Sequence, residues 1–141
     1  MPAECVVDAS VIGAAIFNEV ASAEARRFLA KGPHLIAPDL LIVEITSLAA
    51  KKVWRNEATD EVGRRALAAL GDFIGEFVPA GRLAPRAFAL AAAHRFSAYD
   101  ALYLALAESR SRRLITLDDR MIERAAQARL GNLAGRPADA L

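Results

Sequence analysis

Glu4-Cys5-Val6-Val7-Asp8-Ala9-Ser10-Val11-Ile12 decides how the rest of the chain is read. Cys5 to Val7 is a short apolar run without period-two alternation. Such a run suits a strand buried on both faces, as in a parallel sheet. It stops at Asp8. Ser10 follows two residues later, and the apolar segment through Phe17 reads as a helix. A carboxylate therefore stands at the carboxyl end of a central strand, where open α/β sheets bind their ligands. Taken alone, Asp8 or Ser10 is more readily the N-cap of the next helix. The question is whether other acids converge on the same place.

Working outward, Ser22 to Lys31 reads as a helix closed by Gly32-Pro33. His34 to Ala37 is a second strand. Pro38-Asp39 opens a helix running to about Arg55, with Leu41, Ile45 and Leu48 at helical spacing. Glu44 flanks that apolar stripe. An acid there is costly without a cation, a metal or hydrogen bonds, and its ordinary reading is a rim glutamate that reaches water. Thr59-Asp60-Glu61 starts a further helix to about Phe73, with acids in its first turn. Val62, Ala66, Leu67, Leu70 and Phe73 mark its inner face, and the two helices form an antiparallel hairpin. Glu76 to Pro79 is a third strand, and Pro85 starts a helix ending near His94.

Ser97 then caps a helix in which Asp100 holds the third position. Ala101 to Ala107 is apolar all round, the mark of a buried helix. The ordinary role for Asp100 is a capping box with Ser97, although aspartate is shorter than the usual glutamate. Leu114 to Leu117 is a fourth strand ended by Asp118. The following helix, Arg120 to Leu130, turns Met121, Ile122, Ala125 and Ala126 inward, and Asp118 and Asp119 compete to cap it. From about residue 131 the tail carries Gly131, Gly135 and Pro137. It is expected to be weakly ordered or an edge strand.

The totals exclude several classes. A chain of 141 residues with 55% apolar content is expected to form one domain, 1–141. No apolar run is long enough for a membrane span, and no signal-peptide pattern opens the chain, so the expected compartment is the cytoplasm. One cysteine forms no internal disulfide. Two histidines and one cysteine are too few for a structural zinc site. The net charge of +1 advertises no nucleic-acid binding. Lys51, Lys52 and Arg55, like Arg110, Arg112 and Arg113, read as solvated helix ends.

The element order is that of a three-layer α/β fold with a parallel sheet. Strand ends and helix starts share one edge of such a sheet, so Asp8, Glu44, Asp100 and Asp118 can meet there. Clustered carboxylates repel one another, and hard divalent cations relieve that repulsion. Oxygen-only ligation favours magnesium or manganese over zinc, and the chemistry suited to it is metal-assisted phosphodiester hydrolysis.

Val7-Asp8-Ala9-Ser10, Glu44, Tyr99-Asp100-Ala101 and Thr116-Leu117-Asp118 together resemble the motif set of the PIN-domain nucleases, in the expected order and over nearly the whole chain. At this length the resemblance is to VapC-type toxins of toxin–antitoxin pairs. It implies a twisted parallel sheet flanked by helices, a homodimer, and a Mg2+- or Mn2+-dependent endoribonuclease acting on RNA. It also implies an inhibitory antitoxin, a small protein with a DNA-binding N-terminus whose C-terminal segment covers the active site. Asp8, Glu44, Asp100 and Asp118 match the family's acidic positions. Ser10 and Thr116 match its small hydroxyl positions, and Asp119 stands beside the fourth acid as a competitor. The apolar helices from about Pro38 to Phe73 are the expected antitoxin groove, and an inhibitor's arginine could replace the metal. Two rivals stand against this reading. An aspartyl-phosphate phosphotransferase commonly wants a second acid where Ser10 stands. The other is a non-catalytic PIN-like module binding RNA or protein; the intact acidic set speaks against it, since a pure RNA binder gains nothing from acids facing phosphate.

Overall fold

A computed structural model describes residues 2–140. Its centre is β1 (Glu4–Val7), where Val6 and Val7 have no exposed surface. On one side of it lie β2 (His34–Pro38) and β3 (Glu76–Val78). On the other lie β4 (Leu114–Ile115) and β5 (Ala134–Gly135). The order is β3-β2-β1-β4-β5 and every pairing is parallel, with Cys5 opposite Leu35 and Val7 opposite Ile115. Parallel neighbours need crossover connections, usually helical. The helices are α1 (Ala9–Ile16), α2 (Ser22–Ala30), α3 (Leu40–Trp54), α4 (Asp60–Phe73), α5 (Ala80–His94), α6 (Ala98–Arg110) and α7 (Asp119–Gln127). No helix among the described residues is long and apolar enough to cross a membrane.

This order has one switch point. The chain steps outward from β1 to β3, then returns through α5 and α6 to β4 beside β1. Ligands of open α/β sheets bind at the carboxyl ends of the strands where the order reverses. Here that place lies between the ends of β1 and β4, with Asp8 on one side and Thr116 to Asp118 on the other. The buried helix read from Ala101 to Ala107 is α6. It packs on β1, β2, β4 and α5, burying Ala101 and Tyr103 to Ala107.

Several local readings are corrected. Pro38 ends β2 rather than opening α3. Helix α5 begins at Ala80, and Pro85 lies within it. Pro85 faces solvent, where water can serve the carbonyl freed by its missing N–H, while Leu83, Ala87 and Leu90 bury the opposite stripe. The start of α5 is supported from far away in sequence: Asp39 Oδ1 accepts the Ala80 N–H at 3.0 Å. In α4 the inner face centres on Gly63, Ala66 and Leu70, and Val62 is exposed. Ala126 of α7 is likewise exposed. The fourth strand stops at Ile115, because the Leu117 N–H leaves the ladder to donate to Ser10 Oγ at 3.0 Å. The tail forms the edge strand β5 and a 3-10 turn at Pro137–Asp139. Arg113 tethers it through the carbonyls of Asn132 and Asp139.

Candidate active site

Asp8 leaves β1 in extended conformation and caps α1, so its ordinary role and its site role coincide. Its Oδ1 accepts the Ser10 N–H at 3.1 Å and the Ser10 hydroxyl at 2.5 Å. Its Oδ2 accepts the Thr116 hydroxyl at 2.5 Å. Each hydroxyl works twice. Ser10 Oγ accepts the Leu117 N–H, and the fully buried Thr116 Oγ1 accepts the Asp118 N–H at 3.0 Å. The two hydroxyls thereby lock the end of β1 to the loop carrying Asp118. Burial pushes the Asp8 carboxyl above its ordinary pKa even against these hydrogen bonds.

Glu44 projects from the second turn of α3. Its Oε1 accepts the Tyr103 hydroxyl at 2.6 Å. Burial pushes its pKa up, the tyrosine bond opposes that, and the charges of Asp8 and Asp100 add to the rise. Asp100 holds the third position of α6, where its N–H caps on Ser97 Oγ at 3.1 Å. Its pKa is raised first by burial and then by Asp118, with Ser97 and Arg124 acting in opposition. Asp118 is the N-cap of α7, its Oδ1 accepting the N–H groups of Arg120 and Met121. Its neighbour Asp119 turns away, pairing with Arg136 at 2.8 Å. Arg124 bonds the Arg95 carbonyl and lies over the Phe96 ring, which holds α7 against the approach to α6.

These acids differ from several carboxylates elsewhere in the chain in how they are held. Glu24, Glu76 and Glu108 each pair with an arginine (Arg136, Arg110 and Arg86) whose hydrogen bonds lower their pKa values. Among the described residues, none of Asp8, Glu44, Asp100 and Asp118 makes an ion pair. Neutral donors (Ser10, Thr116, Tyr103, Ser97 and backbone N–H groups) position them instead, and among the described residues the one cation that acts on them is Arg124, near Asp100. Among the described residues, no three acidic, histidine or cysteine side chains close into a ready-made metal cage. Magnesium is usually held by one or two carboxylates with waters and substrate phosphates, so an open, oxygen-only set fits it.

Tyr103, read from the sequence only as part of the buried helix, touches the candidate site through Glu44. A signal was available. It is the only tyrosine in the apolar run, a buried hydroxyl needs a partner, and it lies one turn from Asp100 on the same face. Burial, followed by the charges of Glu44, Asp8 and Asp100, raises its pKa, so it serves as a donor.

A five-stranded, all-parallel sheet flanked by helices is the architecture of a PIN-like α/β fold. Residues 5–127 match the PIN domain family, and the chain belongs to it. Among curated relatives it is similar to Ribonuclease VapC1 of Mycobacterium tuberculosis, 37% identical over 119 residues, or 84% of this chain and 88% of that one. It is also similar to Ribonuclease VapC3 of Pyrobaculum aerophilum, 32% identical over 84% of this chain and 92% of that protein. Among solved structures, a toxin–antitoxin complex from Klebsiella pneumoniae aligns with a TM-score of 0.69 at 19% identity, over 94% of this chain and 97% of that one. That last likeness bears on the fold.

Proposed function

We propose that this protein is an endoribonuclease of VapC type. It would hydrolyse RNA phosphodiester bonds with Mg2+ or Mn2+ and be restrained by a cognate antitoxin. The observation that carries the reading is that Glu44 feels the charges of Asp8 and Asp100, and Asp100 that of Asp118, at the carboxyl edge of the sheet, while neutral donors and not salt bridges hold all four. The VapC relatives named as ribonucleases support RNA as the substrate.

In this mechanism Asp8, Glu44 and Asp100 would hold the cation, with Asp118 completing the site directly or through water. A divalent cation there supplies a Lewis acid that acidifies water and offsets charge on the phosphate. Ser10 and Thr116 hold both Asp8 oxygens in place, so the central carboxylate needs little reorganisation. Asp118 is the working member of its pair, since Asp119 is committed to Arg136. Without a cation, the four acids would repel the RNA backbone, which disfavours a purely RNA-binding module.

The partner surfaces belong to the same reading. Ile42, Val43, Trp54 and Val62 are exposed apolar residues on α3 and α4, which supports an inhibitor groove there. The homodimer is supported by the apolar face between α5 and α6, lined by Ala84, Phe88 and Leu102. The test of the activity is RNA cleavage by protein stripped with EDTA. The reading expects silence, recovery with Mg2+ or Mn2+, and poor recovery with Ca2+, which prefers looser coordination. Cleavage that persists in excess chelator would overturn it.

A further inference from the structure

Tyr103 lies in α6 between Leu102 and Leu104 and is 2% exposed. Packing alone would be satisfied by phenylalanine. The hydroxyl is instead spent on one atom, Glu44 Oε1 on α3, 59 residues away in sequence. One turn earlier, α6 carries Asp100. A single rigid helix thus supplies one acid of the site and the donor that orients another.

The donor's chemistry matters. An arginine or lysine on Glu44 would neutralise it, as Arg136 does for Glu24. A tyrosine hydroxyl fixes the carboxylate without cancelling its charge. The same device operates at Asp8, where Ser10 and Thr116 are the neutral donors. The bond engages one lone pair of Oε1 and fixes the plane of the Glu44 carboxylate, as Ser10 and Thr116 fix that of Asp8.

We infer that Tyr103 is a positioning residue for the metal site, holding the Glu44 carboxylate in the orientation in which it meets the cation. The inference rests on the proposed role of Glu44. Partners that orient ligating groups typically contribute 10–100-fold to metal affinity or activity. Losing only the hydroxyl should leave the fold standing, with a modest fall in unfolding temperature for the lost hydrogen bond, and should lower Mn2+ affinity through Glu44.

The experiment measures Mn2+ binding by electron paramagnetic resonance on EDTA-stripped protein, for wild type, Tyr103→Phe, Glu44→Gln and the double variant. Thermal unfolding and Mn2+-dependent cleavage are followed on the same samples. Tyr103→Phe should weaken Mn2+ binding about 10-fold. Its cleavage should need correspondingly more Mn2+, while kcat at saturating metal and KM for RNA stay within a few-fold of wild type. Glu44→Gln should weaken binding at least as much, and adding Tyr103→Phe to it should change nothing further. A merely structural tyrosine would lower the unfolding temperature and leave Mn2+ affinity unmoved; that result overturns the inference while Glu44→Gln still shows loss. Glu44→Gln binding Mn2+ like wild type would overturn the reading of Glu44 itself, and this inference with it.

Discussion

Thr116→Val tests the join between β1 and the Asp118 loop. Valine replaces the hydroxyl with a methyl of similar size, so no cavity opens. Two bonds disappear: the donation to Asp8 Oδ2 and the acceptance of the Asp118 N–H. A hydrogen bond to a charged group contributes about 1.5–3 kcal/mol. The Asp118 N–H belongs to an exposed residue and can turn to water, so the expected loss is about 1.5–3 kcal/mol. Typical domains have about 5–15 kcal/mol in total, so the variant should still fold. Thr116→Ser keeps both bonds and loses only a methyl, about 0.5–1.5 kcal/mol by analogy with Ile→Val. The assay is urea unfolding in EDTA followed by far-ultraviolet circular dichroism, because the sole tryptophan, Trp54, is 75% exposed and reports poorly on folding. The stability order should be wild type, then Thr116→Ser, then Thr116→Val. If Thr116→Val unfolds within about 0.5 kcal/mol of wild type, the scale of an unremarkable surface change, or if Thr116→Ser is the weaker, the hydroxyl bridge does not hold the site together.

Other outcomes follow from the same geometry. The raised pKa values of Asp8, Glu44 and Asp100 mean that the metal-free folded state holds their protons more tightly than the unfolded chain does. Stability should therefore fall as pH rises from the unfolded carboxyl range through the folded values, whereas the lowered Glu24, Glu76 and Glu108 lose their contribution only as pH falls through theirs. Urea midpoints in EDTA, followed upward in pH from about 4, the unfolded carboxyl range, to 8, should decline, and decline less in Asp8→Asn; a flat wild-type profile contradicts this. Asp118→Asn should lower RNA cleavage at least about 100-fold, by analogy with losing a group that stabilises the transition state. Asp119→Asn should leave cleavage within a few-fold and cost no more than about 1 kcal/mol of stability, as for an exposed ion pair; equal effects on cleavage would show that the pair is misassigned. An arginine-bearing inhibitor should bind more weakly as Mn2+ rises and more weakly to Asp100→Asn, measured by calorimetry. Indifference to both would move its site to α3 and α4 alone.

What could be read from the chain depended on how local each cause was. Asp8, Asp100 and Asp118 each sit where a strand ends or a helix begins, so the local pattern that builds the element also announces the acid. Cys5 to Val7 and Ala101 to Ala107 declared their burial by lacking any polar face. The start of α5 was hidden because its cap, Asp39, comes from 41 residues upstream. Tyr103 was hidden because its partner is on α3, and an aromatic residue in an apolar helix already looks explained. The pairing of Asp119 with Arg136 was hidden because Arg136 lies in a tail whose glycines and proline gave no sign that it would dock on Glu24 through three hydrogen bonds.

The central claim is that the acids at the β1–β4 switch point hold a cation that cleaves RNA. Its most direct test is Mg2+-dependent cleavage of RNA by wild type, Asp8→Asn and Asp100→Asn, each purified free of wild-type protein and checked for fold by circular dichroism. The account predicts that both variants fold, bind Mn2+ more weakly and lose cleavage; full activity in both variants at the same Mg2+ concentration would contradict it.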